Sequence, residues 1–246
     1  MNRLACRPTD WTPRPLSLSD RAVLRWAAQQ WRPPQYQGHY KAPRAAPPTF
    51  HQSPPEKVRH NREFASCLPP RRPGRGRLLV LDGVGLGTTR TLLQQTSFTA
   101  EDLHVPNHHQ QLPLPHHYPC TLYEWLRDVG STLPRDELDG AALDYCGTLS
   151  GNETDCKPWV ELSLLLRLGL LRRAGGVLWL TFCKRHPSWQ ASVATVLELA
   201  HAAGYEFQVV REESYVSQLG SRMYRLLLVS WSAPPPSNGA PPSPSP

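Results

Sequence analysis

The stretch LLVLDGVGLGTTRTLL, residues 78–93, decides the fold. Residues 77–82 form a short apolar run that predicts a buried strand ending in Asp82. Residues 83–87 contain three glycines, which let the backbone turn sharply and approach a ligand closely. Residues 88–95 predict a helix that begins with Thr88 and Thr89. A strand, a glycine loop and a helix in this order indicate an α/β protein.

The chain alternates in type from residue 77 to residue 231. We predict further strands at 103–106, 140–145, 177–182, 207–211 and 223–231, and further helices at 120–129, 158–173 and 188–203. Alternating strands and helices predict βαβ units and a mostly parallel sheet, covered by helices on both faces. Because no helical pattern separates the last two strands, the final strand is predicted to be antiparallel. The predicted fold class is therefore a three-layer α/β/α sandwich.

Composition divides the chain into three parts. Residues 1–76 hold 13 of the 27 prolines and carry 14 Lys and Arg against 4 Asp and Glu. We predict a basic, proline-rich arm with one helix at about 17–31, a folded domain over 77–231, and a disordered Pro/Ser tail over 232–246. A basic arm is typical of a nucleic-acid contact, an organelle-targeting segment or a solvated leader.

Cysteine usage and hydropathy limit the location of the protein. The six cysteines include no C-x-x-C pair, which favours an intracellular, reducing compartment over a disulfide framework or a zinc site. The cytoplasm and the nucleus both fit, and organelle targeting by the arm stays open. The longest apolar stretch, residues 159–171, contains Glu161 and Arg167. It is too short to cross a bilayer and predicts a core helix, so no membrane association is expected.

The glycine loop disfavours two classes of nucleotide-binding protein. The dinucleotide fingerprint G-x-G-x-x-G needs a glycine where Thr88 stands, and the P-loop needs a lysine that is missing. A nicotinamide-dependent oxidoreductase is therefore disfavoured. The N-terminus of the following helix favours an anionic group, such as the carboxylate of S-adenosylmethionine or a phosphate. A tight turn without a ligand is the alternative.

With these residues the chain resembles the Rossmann-like S-adenosylmethionine-dependent methyltransferases over residues 77–231. The closer resemblance is to a little-characterised algal, protist and viral group with LDG-x-GL-x-TTR, VPN and DYCGT segments. The resemblance implies seven strands with an antiparallel last strand, and S-adenosyl-L-methionine as cofactor. Asp82 directly precedes Gly83, so the loop is one residue shorter than the usual family pattern. The cofactor-binding residues that it implies are Asp82, Gly83, Gly85, Gly87, Thr88, Thr89 and Asn107.

Asn107 ends the second predicted strand, where the family usually has an acid that binds the ribose hydroxyls. An amide can both donate to and accept from a diol, so the resemblance implies the same role for Asn107. A strand-terminating Pro-Asn turn is the alternative. Four histidines follow at 108, 109, 116 and 117. Their spacing does not suit a metal site, and we interpret them as solvated loop residues.

The segment LDYCGT, residues 143–148, lies where the family places its catalytic residues. The resemblance implies that Asp144 accepts a hydrogen bond from an acceptor amine and that Tyr145 stacks on a base or holds the sulfonium methyl. One alternative is that Asp144 contacts only the cofactor. Another is that the whole segment is an ordinary turn at the end of a strand. Cys146 as a nucleophile is disfavoured against a packing role. The candidate substrate-binding residues are Cys146, Gly147, Thr148, Lys184 and Arg185.

Together these features predict an enzyme that transfers a methyl group from S-adenosyl-L-methionine to an unidentified acceptor. The arm favours RNA as the acceptor, because the arginines at 71, 72, 75 and 77 could neutralise phosphates without reading sequence. The alternative is a catalytically inactive protein of the same fold that binds a nucleic acid or a protein partner. The oligomeric state is not predicted.

Overall fold

The structure is a computed structural model that describes residues 14–30, 55–72, 74–82, 85–107, 114–145, 149, 158–183, 189–216 and 222–231. The six helices of this part are α1 (Leu18–Gln30), α2 (Pro55–Cys67), α3 (Gly87–Gln95), α4 (Leu122–Asp128), α5 (Pro158–Arg167) and α6 (Trp189–Ala202). The seven strands are β1 (Arg77–Leu81), β2 (Leu103–Pro106), β3 (His117–Tyr118), β4 (Leu138–Asp144), β5 (Val177–Cys183), β6 (Glu206–Val216) and β7 (Arg222–Trp231).

The seven strands form one mixed sheet in the order β3-β2-β1-β4-β5-β7-β6. The first five strands in this order pair in parallel, whereas β7 is antiparallel to both β5 and β6. This arrangement confirms the predicted fold class, including the antiparallel last strand. The carboxyl ends of β1, β2, β4 and β5 therefore meet at one edge of the sheet, where open α/β proteins place their ligands.

A hydrophobic core lies on each face of the sheet, which makes the fold a three-layer sandwich. On one face, Leu79, Leu143 and Leu180 pack with apolar residues of α1, α4, α5 and α6. On the other face, Leu78 and Trp179 are among the strand residues that pack with α2 and α3. The continuous apolar sequence of β5 is explained by this arrangement, since both of its faces are covered.

Helix α2 is a second helix within residues 1–76, where the sequence predicts one. Its apolar face is small, because Phe64 and Ala65 are its only buried hydrophobic residues. Such a short stripe gives a weak helical pattern. Phe64 is nonetheless fully buried and lies 5.7 Å from Trp179 between ring centroids. Residues 55–67 thus form part of the sandwich layer instead of a separate arm.

Three further elements differ from the predicted ones. The short strand β3 lies in a segment that was predicted to be a loop, and it contains His117, which is buried and not solvated. Helix α5 ends at Arg167, because Gly169 adopts a φ of 69°, a conformation that ends helices. Strand β6 continues to Val216, five residues beyond its predicted end. Its polar sequence is compatible with a strand because β6 lies at the edge of the sheet.

Candidate functional site

Four polar side chains follow or end neighbouring strands at the carboxyl edge of the sheet. Asp82 follows β1, Asn107 follows β2, Asp144 ends β4, and Thr181 lies near the end of β5. β1 and β4 are parallel neighbours, and Asp144 lies close enough to Asp82 to raise the pKa of that carboxyl. The sequence-predicted cofactor and catalytic carboxylates thus open onto the same edge of the molecule.

Asp82 connects the end of β1 to the start of α3. Its Oδ2 accepts a hydrogen bond of 2.8 Å from the backbone N–H of Thr89, in the first turn of α3. Burial raises the pKa of Asp82, while the hydrogen bond from Thr89 and the positive charge of Lys57 act in the opposite direction. Asp82 therefore holds the glycine loop between the strand and the helix.

Asn107 joins three strands at the same edge. Its Nδ2 donates to the backbone carbonyl of Asp82 over 2.9 Å, and its own N–H donates to the carbonyl of Tyr118 over 2.9 Å. His117 Nε2 lies 3.1 Å from the Asn107 carbonyl oxygen. These contacts tie β2 to β1 and β3, so the Asn107 side chain has a structural role beside any role in ligand binding.

Asp144 forms an ion pair with Lys57, which belongs to α2. Asp144 Oδ2 accepts a hydrogen bond from the Lys57 ammonium, and Oδ1 accepts one from the Thr181 hydroxyl. Burial by itself would raise the pKa of Asp144, but Lys57 and Thr181 together hold it below its ordinary value. Asp144 raises the pKa of Lys57 in turn, and Asp82 adds a smaller effect in the same direction. The pair is therefore charged at neutral pH.

A row of polar side chains continues from Asp144 across the sheet. In the strand register Asp144 is opposite Thr181, Thr181 is opposite Arg225, and Arg225 is opposite Glu213. Helix α2 covers this row. Glu63 forms an ion pair with the fully buried Arg225, and Arg59 forms one with Glu213. Charged contacts therefore fix α2 to the C-terminal strands as well as to Asp144.

His60 of α2 lies in the same charged layer but carries no charge at neutral pH. Burial and the nearby Arg225 lower the pKa of His60 to about 4. The ring packs edge-on against Tyr215 of β6, with 4.9 Å between ring centroids. His60 thus contributes packing between α2 and β6 instead of a positive charge.

Tyr145, the second sequence-predicted catalytic residue, lies in the hydrophobic core. Its side chain is buried, and it lies close enough to Glu161 of α5 to lower the pKa of that carboxyl. Burial raises the pKa of Glu161 to about 7, against the lowering effects of the nearby Tyr145 and of the hydrogen bond from the Tyr123 amide. Tyr145 belongs to the core on the face of the sheet that α5 covers, whereas Asp144 pairs with Lys57 of α2, which packs on the other face.

The residues at the start of α3 suit an anionic group. A Cβ atom added to Gly85 would have no atom of the described residues within 4 Å, so these residues leave that side of the loop open. Asn61 of α2 is buried next to Thr88, whose hydroxyl lies 3.4 Å from the Asn61 Oδ1. The Asn61 Nδ2 has no hydrogen-bond partner among the described residues. An unsatisfied buried donor beside a helix N-terminus fits the carboxylate of S-adenosylmethionine.

Several of the predicted site residues lie in segments between the described ranges. Gly83 and the candidate substrate-binding residues Cys146, Gly147, Thr148, Lys184 and Arg185 lie outside the described residues, as do His108 and His109. Within the described ranges, no group of three or more His, Cys, Asp or Glu side chains could hold a metal ion. In that same part of the chain, no helix is long and apolar enough to cross a membrane.

The arginines of the basic loop form ion pairs within the protein. Arg71 pairs with Asp102 over 2.8 Å, Arg72 pairs with Asp139 over 2.8 Å, and Arg77 pairs with Glu137 over 3.3 Å. Arg77 begins β1, so the loop lies at the amino end of the strand, whereas Asp82 lies at its carboxyl end. These charges therefore stabilise the base of the sheet and are distant from the candidate site.

Sequence reasoning missed the contribution of α2 to the site. Lys57, His60, Asn61 and Phe64 recur at helical spacing on the face that packs against the sheet and α3. Pro55 at the first helical position and Glu56 in the first turn are the signals that could have indicated the helix. Arg225 was missed as well, because a single arginine within a strand pattern looks like a solvent-exposed position.

No sequence-family model and no curated protein match the chain. Solved structures with a similar fold include a 1,6-didemethyltoxoflavin-N1-methyltransferase from Burkholderia thailandensis, 16% identical, with a TM-score of 0.47 over 90% of this chain and 94% of that one. Trm5b from Pyrococcus abyssi is 9% identical, with a TM-score of 0.46 over 73% of this chain and 50% of that one. TYW2 from M. jannaschii is 12% identical, with a TM-score of 0.42 over 72% of this chain and 76% of that one. This chain thus spans half the length of the Trm5b chain, and the fold assignment rests on the strand order itself.

Proposed function

We propose that this protein is an S-adenosylmethionine-dependent methyltransferase. The observation that supports the proposal best is the position of Asp82 and Asp144 on one edge of the sheet, beside the open side of the glycine loop. This loop has neither the dinucleotide fingerprint G-x-G-x-x-G nor the phosphate-binding P-loop. A cofactor held by its amino-acid end and its ribose suits these residues better than one held by a pyrophosphate.

The cofactor would be held by residues on β1, α3 and β2. Gly85 and Gly87 would let the backbone approach it, and the N-terminus of α3 at Thr88 would face its carboxylate. Asn107, which follows β2, would contact the ribose hydroxyls of the cofactor. S-adenosylmethionine supplies a methyl group on a sulfonium, whose carbon–sulfur electron pair stays with S-adenosylhomocysteine when the methyl group leaves.

Asp144 is the residue that we assign to the acceptor. It is ionised at neutral pH, so it can accept a hydrogen bond from an acceptor N–H and orient the nitrogen lone pair towards the methyl carbon. As the new carbon–nitrogen bond forms, the nitrogen releases its proton to Asp144 or to water. Tyr145 would act indirectly, because its packing in the core covered by α5 fixes the backbone that follows Asp144.

RNA is the acceptor class that we propose for this site. The loop arginines at 71, 72 and 77 are paired internally, so the support comes from residues 1–54, which carry eight Lys and Arg against two Asp. Deleting residues 1–76 would also remove Lys57 and is not a clean test. Replacing Arg32, Lys41 and Arg44 by glutamine should weaken RNA binding and reduce its salt dependence. Unchanged RNA binding would reject this acceptor class.

A second candidate function is a binding protein of the same fold without catalysis. Two observations favour it: the Lys57 ammonium donates to Asp144 Oδ2, and the Asn107 side-chain amide donates to the Asp82 carbonyl. Both side chains thus have partners within the protein. Isothermal titration calorimetry of the full-length chain with S-adenosylmethionine, and separately with NAD⁺, distinguishes the possibilities. A micromolar affinity for S-adenosylmethionine alone supports the methyltransferase. No heat with either nucleotide, together with retained RNA or protein binding, supports the binding protein.

A further inference from the structure

Helix α2 presents two hydrogen-bond donors to the start of α3. Lys57 and Asn61 are four residues apart, so their side chains lie on the same face of the helix. The Lys57 ammonium lies close enough to Asp82, which precedes the glycine loop, to be affected by its charge. Asn61 lies beside Thr88 in the first turn of α3. Both side chains therefore lie beside the unit formed by the end of β1 and the first turn of α3.

The hydrogen bonding of these two residues points to a ligand. The Asn61 side chain is 1% exposed, and its Nδ2 has no partner among the described residues. A buried donor without a partner is costly unless a bound group satisfies it. Lys57 has three ammonium donors on a flexible stem, and its side chain is 28% exposed, so it can contact a second anion beside Asp144.

Helix α2 itself is held firmly, so the site does not depend on closure of the whole helix. Phe64 is fully buried, and Glu63 pairs with the buried Arg225. Lys57 lies in the first turn, at the end of the helix nearest to Asp144. Rotation of its side chain alone can therefore bring the ammonium from Asp144 towards the α3 N-terminus.

We infer that Lys57 and Asn61 of α2, together with the N-terminus of α3, form the binding site for the carboxylate of the cofactor's amino-acid end. The inference rests on the proposed function and adds to it residues that lie outside the segment resembling the methyltransferases. Lys57 pairs with Asp144 in the free protein and with the ligand carboxylate in the complex. Binding of the cofactor thereby frees Asp144 Oδ2 for the acceptor nitrogen, which predicts that cofactor binds before acceptor.

The test compares two ligands that differ only in this carboxylate. S-adenosylhomocysteine and its decarboxylated analogue S-adenosyl-3-thiopropylamine are titrated calorimetrically into the full-length protein and its variants. We expect Lys57→Gln to lower the affinity for S-adenosylhomocysteine roughly tenfold or more. The affinity for the analogue should stay within about threefold of the wild-type value. Asn61→Asp should show the same selectivity, because it replaces the donor by a negative oxygen. Lys57→Arg, which keeps the charge, should retain most of the affinity.

Arg62→Gln is the matched control, since Arg62 lies on the exposed face of the same helix. It should leave both affinities unchanged, and thermal unfolding of each variant verifies that it is folded. The inference would be overturned if Lys57→Gln lost the same factor of affinity for both ligands, or if it bound S-adenosylhomocysteine more tightly than the wild type. Either result would leave the proposed function intact. Failure of the wild-type protein to bind either nucleoside would overturn both.

Discussion

Lys57 and Asp144 are 87 positions apart in the chain and form an ion pair at the carboxyl edge of the sheet. The pair joins α2, the helix before β1, to the carboxyl end of β4, where the candidate acceptor site lies. Asp144 also accepts a hydrogen bond from Thr181, so both of its oxygens are engaged in the free protein. The helix before β1 is thus part of the site.

A double-mutant cycle of Lys57→Gln and Asp144→Asn should show that the pair stabilises the fold. Each single variant leaves one partly buried charge without its partner, whereas the double variant removes both. We expect a coupling energy of about 1–3 kcal/mol in the free energy of unfolding by urea. The exposed Arg127–Asp128 pair is the control, with an expected coupling below about 1 kcal/mol. Equal coupling for the two pairs would show that Lys57 is not held on Asp144.

Substitution of Gly85 should separate folding from cofactor binding. Gly85→Ala adds a methyl group to open space and should change neither the melting temperature nor the affinity for S-adenosylhomocysteine by much. Gly85→Arg should also fold, but its long side chain would fill the crevice, and calorimetry should detect no binding. If Gly85→Arg binds the nucleoside as tightly as the wild type, the ligand does not lie beside this loop.

Glu161 should make stability fall as the pH rises towards neutral. Its pKa is raised to about 7 in the folded protein from an ordinary 4.5, so the folded state holds the proton more tightly. This contribution is fully present below about pH 4.5 and is lost as the pH rises through 7, by up to about 3 kcal/mol. Glu161→Gln should therefore be more stable than the wild type at pH 8.

Urea unfolding of both proteins between pH 5 and pH 8.5 measures this effect. His60, whose pKa is lowered to about 4, acts in the opposite direction below pH 6.5, but it is present in both proteins and cancels in the difference. Glu198→Gln, on the exposed side of α6, is the control and should follow the wild-type profile. A stability difference that does not vary with pH would mean that Glu161 is ionised throughout.

Glu63 should stabilise the attachment of α2 far more than Arg59 does. Glu63→Gln removes the charge that compensates the fully buried Arg225, which should cost about 3 kcal/mol in the free energy of unfolding. Arg59→Gln breaks contacts of a side chain that is 45% exposed, and the expected cost is below about 1 kcal/mol. Chemical denaturation of the two variants at pH 7 provides the comparison. Similar costs would indicate that Glu213 alone compensates Arg225.

The fold could be predicted from the sequence because its central elements have strong local patterns. Residues 177–182 are apolar apart from Thr181, as expected of β5, and the glycine run after Asp82 marks the turn into α3. Strand β3 could not be predicted, since its two residues carry no periodicity and pair with β2 only through tertiary contacts. The polar end of β6 was missed for a related reason, because its Glu213 faces Arg225 on the neighbouring strand.

The candidate site was predictable only where it follows strands of the sheet. Asp82, Asn107 and Asp144 were predicted because the chain resembles the methyltransferases at the ends of three predicted strands. Lys57 and Asn61 were not, since the role that we propose for them depends on a helix that packs through Phe64, Ala65 and a set of ion pairs. Charged contacts between distant segments leave no periodic signal in a single sequence, and the same holds for the loop arginines that pair with Asp102 and Asp139.

A crystal structure of the full-length protein soaked with S-adenosylhomocysteine tests the proposed function most directly. We expect the nucleoside between α2 and the glycine loop, with its carboxylate near Lys57, Asn61 and the first turn of α3, and with Asp144 turned towards solvent. Density for the ligand at any other place, or an unchanged Lys57–Asp144 pair with no ligand at millimolar concentration, would contradict the assignment of this edge as a methyltransferase site.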